Sequence, residues 1–175
     1  MLIGLVAHIS LSYYTPVQKQ KMDWRNDPKE ERTFSSPNKQ YTLKVLTLDH
    51  WKTRIATAVF SKSGKELWRH KLPHSHGPRD VLISDSGWTI LFDEWINVPT
   101  NYALSTISLK GATTKTWTFE DICKLVDLAP VKVKDQAKIG WWQTGEPHLN
   151  HEVLTMAVAG KTLKLHLKDS ILRVK

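Results

Sequence analysis

Apolar residues alternate with polar ones along most of the chain after residue 33, the period of a half-buried strand. Tyr41, Leu43 and Val45 share one face of such a strand, opened by the turn Ser36-Pro37-Asn38-Lys39. Residues 55–60 form a second strand, entirely apolar or small. Ser61-Lys62-Ser63-Gly64-Lys65 then reverses the chain, and 66–72 returns. The grammar repeats: strands are expected at 81–83, 88–95, 103–109 and 115–117, with turns at Ser84-Asp85-Ser86-Gly87 and Lys110-Gly111. A third set follows at 153–158 and 163–167 around Ala159-Gly160-Lys161. There Leu163, Leu165 and Leu167 face inward and Lys164, His166 and Lys168 face water.

One helix interrupts the strands near 118–128. Thr118 and Asp121 have capping-box spacing, and Phe119, Ile122, Leu125 and Val126 recur at helical intervals. Pro130 is expected to end it. Cys123 falls inside this helix and reads as a small buried hydrophobe. The expected fold is therefore mainly β: antiparallel hairpins in blade-like sheets, as an incomplete propeller or open sandwich, with that one short helix. Residues 1–32 read as an N-terminal tail or signal remnant plus linker, and 33–175 as a single β-rich domain.

The repeats recur at roughly 40 residues, the length of a four-stranded propeller blade. Ser36 to Tyr41 resembles the opening turn of tricorn-type blades, and the stretch from Phe60 to Trp68 resembles quinoprotein-type hairpins. The string from Leu82 to Trp95 is similar to a group of uncharacterised bacterial proteins with blade-like, WD40-like repeats. The resemblance covers 34–128 and, more weakly, the C-terminal strands. It implies a β-propeller-like architecture, often exported or membrane-attached, and no particular chemistry. About three units fit in the chain, whereas a closed propeller needs four or more. The uncovered edges therefore require an open sheet, a sandwich or assembly between chains.

Composition narrows the picture modestly. At 175 residues the chain can bury about 70% of its surface without a metal or disulfide. The single cysteine forbids an internal disulfide. No apolar run reaches the length of a transmembrane helix. The apolar start, Leu2 to Leu11, is broken by His8 and lacks a basic flank, so a signal remnant, a tail and an edge strand stay open. Export to the periplasm and a cytoplasmic location both fit. The net charge of +8 is spread along the chain, with Lys161, Lys164, Lys168, Arg173 and Lys175 its main cluster. A solvated strand face explains these lysines as well as a nucleic-acid surface does, and nucleic acid is not expected.

Candidate chemistry starts with His70, His74 and His76. Alternation could place two of these imidazoles on one face as metal ligands, completed by His148, His151, Asp93 or Glu94. The competing reading is an exposed loop punctuated by Pro73 and Pro78. Asp93 and Glu94 point to opposite faces of a strand and so make a poor acid–base pair. Asp93 shares a face with Leu91 and Trp95, where desolvation would raise its pKa. Nucleophile-elbow, phosphate-loop and dinucleotide motifs are missing, so nothing points to a cofactor. Eight tryptophans are present. Most should fill the core, while Trp95, Trp141 or Trp142 could present an indole to a sugar or a protein partner. The expected function is a non-catalytic binding or scaffold domain acting through protein contacts or self-association, by strand addition at an open edge. A metal-dependent hydrolase at the histidines and a polysaccharide-binding module at the tryptophans are the alternatives.

Overall fold

The computed structural model describes residues 26–96 and 98–175. The reading of the first 25 residues as signal remnant or linker lies outside these. Among the described residues, twelve strands form three four-stranded antiparallel sheets, each a simple meander. The first holds β1 (Glu31–Ser35), β2 (Tyr41–Leu46), β3 (Ile55–Lys62) and β4 (Lys65–Ser75). The second holds β5 (Pro78–Ile83), β6 (Thr89–Glu94), β7 (Leu104–Ile107) and β8 (Thr113–Trp117). The third holds β9 (His148–Asn150), β10 (Val153–Val158), β11 (Lys161–His166) and β12 (Ile171–Val174). The expected mainly-β fold of blade-like antiparallel hairpins is what the chain adopts.

Turn chemistry sets the hairpin registers. Lys62 pairs with Lys65 and Val158 with Lys161, so each loop has two residues. Ser63-Gly64 and Ala159-Gly160 all take positive φ, which matches the right-handed twist of the flanking strands.

The sheets pack face to face. Tyr41, Leu43, Val45 and Phe60 of the first meet Val81, Ile83, Leu91 and Ile107 of the second. From the other face of the second, Ile90, Phe92 and Leu104 meet Leu154, Met156, Leu163 and Leu165. Burial on both faces explains why β6 carries three consecutive apolar residues, Ile90, Leu91 and Phe92. The outward residues Lys44, Arg69 and Lys71 of the first sheet are exposed.

Helix α1 (Phe119–Val126) buries Phe119, Ile122, Cys123 and Val126 in the second of these cores. Burial pushes the Cys123 thiol above its ordinary range. Both halves of the capping box form: Thr118 accepts from the Asp121 amide, and Asp121 accepts from the Thr118 amide. Thr118→Ala should lower stability by about 1 kcal/mol, read as a shift in denaturation midpoint at unchanged slope. Pro130 does not end this helix. Asp127 does, by taking φ +52° as the left-handed cap. Pro130 instead opens a second helix, α2 (Pro130–Gln136), where its missing N–H is harmless. This corrects the expectation of one helix. Strands β1, β9 and β12 were also not foreseen. The first begins at Glu31, inside the expected linker, and Pro28 accepts a hydrogen bond from the Trp51 indole. Among the described residues, no helix is long and apolar enough to cross a membrane.

Candidate functional site

The first and second sheets part beside β4, and an irregularity in that strand shapes the gap. The β3–β4 ladder pairs Ile55 with Ser75 and next Thr57 with Lys71. Ala56 alone therefore faces Leu72, Pro73 and His74. Pro73 has no N–H to give a ladder and sits where none is required. Bulges of this kind re-aim side chains. Leu72 and His74 are buried while Pro73 is exposed. The result is a cleft of about 290 Å³. Its walls are His70, Leu72 and His74 of β4, Leu91 of β6, Ser105 and Ile107 of β7, and Thr116 of β8.

His74 dominates this cleft. It is 1% exposed, and neither ring nitrogen has a hydrogen-bond partner among the described residues. Its ring packs 5.0 Å from that of Tyr102. Desolvation pushes its pKa down to about 4, so the imidazole is neutral at physiological pH. A neutral imidazole offers one N–H donor and one acceptor lone pair. His70 is exposed and stacks on Trp68 at 5.2 Å, with the rings 19° apart. Across the cleft, the Ser105 and Thr116 hydroxyls lie 3.2 Å from each other. Among the described residues, no carboxylate lines the cleft. Chemically, the arrangement can hold an uncharged group that both donates and accepts hydrogen bonds.

His76 does not join the other two histidines. The strand ends at Ser75, and His76 turns away with φ +58°. Its Nδ1 lies 3.2 Å from the Ser75 hydroxyl and its Nε2 3.2 Å from Asp27. Trp51 packs 5.5 Å from the ring. His70 and His74 share the cleft, whereas His76 is engaged elsewhere. Among the described residues, no three His, Cys, Asp or Glu side chains gather where they could hold a metal ion.

Asp93 anchors a separate buried network. It is 2% exposed, and Arg79 donates to its Oδ2 from Nε at 3.2 Å and from a terminal nitrogen at 3.1 Å. The Trp142 indole donates to Oδ1 at 2.9 Å, and Arg79 also donates to Gln143 Oε1 at 3.2 Å. Burial outweighs the pull of Arg79 and raises the Asp93 carboxyl to about 6. Trp142 belongs to the core that holds Phe92, not to the one that holds Leu91. Asp93 has φ +46°, outside the extended range, so strict alternation does not fix its surroundings. Gly140 approaches this pair closely: a Cβ there would lie 2.4 Å from Asp93 Oδ2 and 2.9 Å from Arg79 Nε. Gly140 also has φ +57°. Gly140→Ala should therefore destabilise the fold by about 2–4 kcal/mol in denaturant unfolding, through strain and a displaced ion pair.

The remaining candidates have structural partners. Trp142 is fully buried. Trp141 is half-buried beside Phe119, at 6.0 Å, with the Lys134 ammonium 4.3 Å from its ring centre. Trp95 carries the Arg32 guanidinium 4.7 Å above its ring and donates to the Asn26 carbonyl. Glu94 accepts from the Ser75 amide and the Thr100 hydroxyl, tying the end of β4 to the second sheet. Of the C-terminal lysines, Lys161 donates to the Val126 carbonyl and Lys168 pairs with Glu152 at 3.2 Å.

Sequence reasoning missed Ser105, Thr116 and Tyr102 around His74, and Arg79 and Gln143 around Asp93. Arg79 carried a weak signal: a cation just before the apolar run Val81-Leu82-Ile83, on a strand that pairs with the one holding Asp93. Ser105 and Thr116 carried none, because hydroxyls on strands are common. No protein-family model matches this sequence, and no curated protein matches it.

Proposed function

We propose that this protein is a non-catalytic binding domain whose recognition site is the cleft between its first two sheets. One observation carries the reading: a cleft of about 290 Å³ opens between the sheets at the β4 bulge, lined by His70, Ser105 and Thr116 and by the buried His74, whose nitrogens have no partner among the described residues. Buried polar atoms without partners cost stability, so natural sequences keep few of them. A concave site with mixed polar and apolar lining of this size is the kind that small molecules occupy. Binding is favoured over catalysis because, among the described residues, the lining lacks a carboxylate and neither Ser105 nor Thr116 bonds an imidazole.

Replacing His74 with phenylalanine tests this. Without ligand, the variant should be more stable than wild type by about 1–2 kcal/mol in urea unfolding at neutral pH, since two unsatisfied atoms disappear. It should also lose the chemical-shift response of the cleft to a small-molecule fragment library. A destabilised variant that still binds fragments in the cleft would defeat the reading.

A second reading, a protein partner added along β4, is favoured by the length of that strand. It has eleven residues and pairs only with β3 among the described residues. Sizing chromatography over a concentration series tests self-association through this edge. A monomer throughout, with unchanged exchange protection along β4, would remove it.

A further inference from the structure

We infer that the mouth of the cleft takes an uncharged planar aromatic ligand, stacked on His70 as the next ring of an aromatic column; this deepens the binding-domain reading and rests on it. Strand pairing builds the column. Phe60 of β3 pairs with Trp68 of β4, and the ladder stays regular as far as Ala58 and His70. Alternation therefore puts Trp68 and His70 on one face, the face turned toward the second sheet. Tyr41 of β2 belongs to the same face. Successive rings lie nearly parallel. Tyr41 and Phe60 are 5.7 Å apart at 9°, Phe60 and Trp68 5.0 Å apart at 16°, and Trp68 and His70 5.2 Å apart at 19°. Stacks at these separations are favourable beyond the area they bury.

The column is open at one end. Tyr41, Phe60 and Trp68 are buried, whereas His70 is exposed. A ring on the inward face stays exposed only where the opposing sheet leaves the gap unfilled, and here that gap is the cleft, which His70 lines. Gly111, in the turn between β7 and β8, closes on the edge of the last stacked pair. A Cβ there would lie 2.7 Å from His70 Nε2 and 2.9 Å from Trp68 Cγ, so the backbone itself braces the platform. A planar ring entering the cleft mouth continues the series.

Size and polarity narrow the ligand further. About 290 Å³ lies at the lower edge of the roughly 300–1,000 Å³ typical of small-molecule sites, room for one or two rings. Leu72, Leu91 and Ile107 give apolar walls, and the Ser105 and Thr116 hydroxyls can turn toward a polar substituent. His74 is no hydrogen-bonding partner, because both its ring nitrogens are buried. Among the described residues the lining has no carboxylate, and its ammonium, on Lys71, is exposed. An ionised ligand would lose hydration there without gaining a buried counter-charge. A saturated ring fits the same walls but gains nothing from the column.

The test is nuclear magnetic resonance on the full chain with matched probes. Benzamide and cyclohexanecarboxamide share charge and polar group, and only the first is flat. Indole is a second flat neutral probe, while benzoate and benzamidinium carry opposite charges. Benzamide or indole should saturably shift the His70 ring signals, the Trp68 indole and the Ser105 and Thr116 amides. Cyclohexanecarboxamide should bind about two- to tenfold more weakly than benzamide, the contribution of one aromatic stack. His70→Ala should erase that difference, and His70→Phe should restore it. The comparison of the two amides on wild type decides the matter by itself if either variant does not fold. If cyclohexanecarboxamide binds the cleft as well as benzamide does, the stacking inference falls and the binding reading stands. If benzoate or benzamidinium binds more tightly than benzamide, the preference for an uncharged ligand is overturned. If no probe shifts the cleft, both readings fall. A benzamide response unchanged in folded His70→Ala places the ring elsewhere and overturns the inference.

Discussion

Asp93→Ala should destabilise this protein by about 3–5 kcal/mol, enough to unfold much of the population of a marginally stable domain. Removing the carboxylate leaves the Arg79 guanidinium, 5% exposed at its side chain, with the Gln143 amide oxygen alone among the described residues. It also strips the Trp142 indole of its acceptor. Because the loss comes from an uncompensated buried charge and not from the pair's own strength, the double variant Arg79→Met/Asp93→Leu should recover most of it. A double-mutant cycle by denaturant unfolding checks both statements. If Asp93→Ala costs under about 1 kcal/mol, water reaches the site and the network is not buried as described. The same network connects sheets: Arg79 and Asp93 lie in the second, while Trp142 and Gln143 lie on the segment leading into the third. Its loss should therefore also loosen the core around Phe92 and Leu154.

Strand positions were legible because the period of two and the Gly-bearing turns agreed with the packing. Leu163, Leu165 and Leu167 are all fully buried, as alternation required. The unforeseen elements are those whose local signal is weak. β9 and β12 span three and four residues, too few to show a period, and β1 mixes charge with one aromatic residue. Pro130 was misread because proline both stops helices and starts them, and only the preceding left-handed residue decides which. The candidate site was half legible. Spacing marked His70 and His74, but the bulge that buries His74 depends on pairing with β3, which a single strand does not encode. His76 is parted from His70 and His74 for the same reason: alternation stops where the strand stops. Asp93 was marked by its position and its neighbours, whereas its ion-pair partner comes from the adjacent strand.

Lowering the pH should separate wild type from His74→Phe by about 3 kcal/mol, and the direction follows from which state binds the proton. His74 titrates at 6.5 when unfolded and at about 4 when folded. Across that window the unfolded chain carries the proton and the folded chain does not. The stability from keeping the ring neutral is thus present above 6.5 and is lost as pH falls toward about 4. A separation of about 2.5 units, at about 1.36 kcal/mol each, gives the magnitude. Asp93 works in the opposite sense. Its folded pKa of about 6 stands above the ordinary 3.8, so the folded chain binds this proton first and gains on acidification over much the same range. In wild type the two groups offset each other and partly hide one another. Removing His74 exposes the Asp93 limb, and the variant should become relatively more stable as pH falls. Paired urea titrations across the window measure this, and other carboxylates cancel in the difference. Parallel curves for the two proteins would mean that the His74 ring carries charge or finds water in the folded chain. A cleft floored by a neutral imidazole would then be the wrong description, and with it the case for an uncharged ligand.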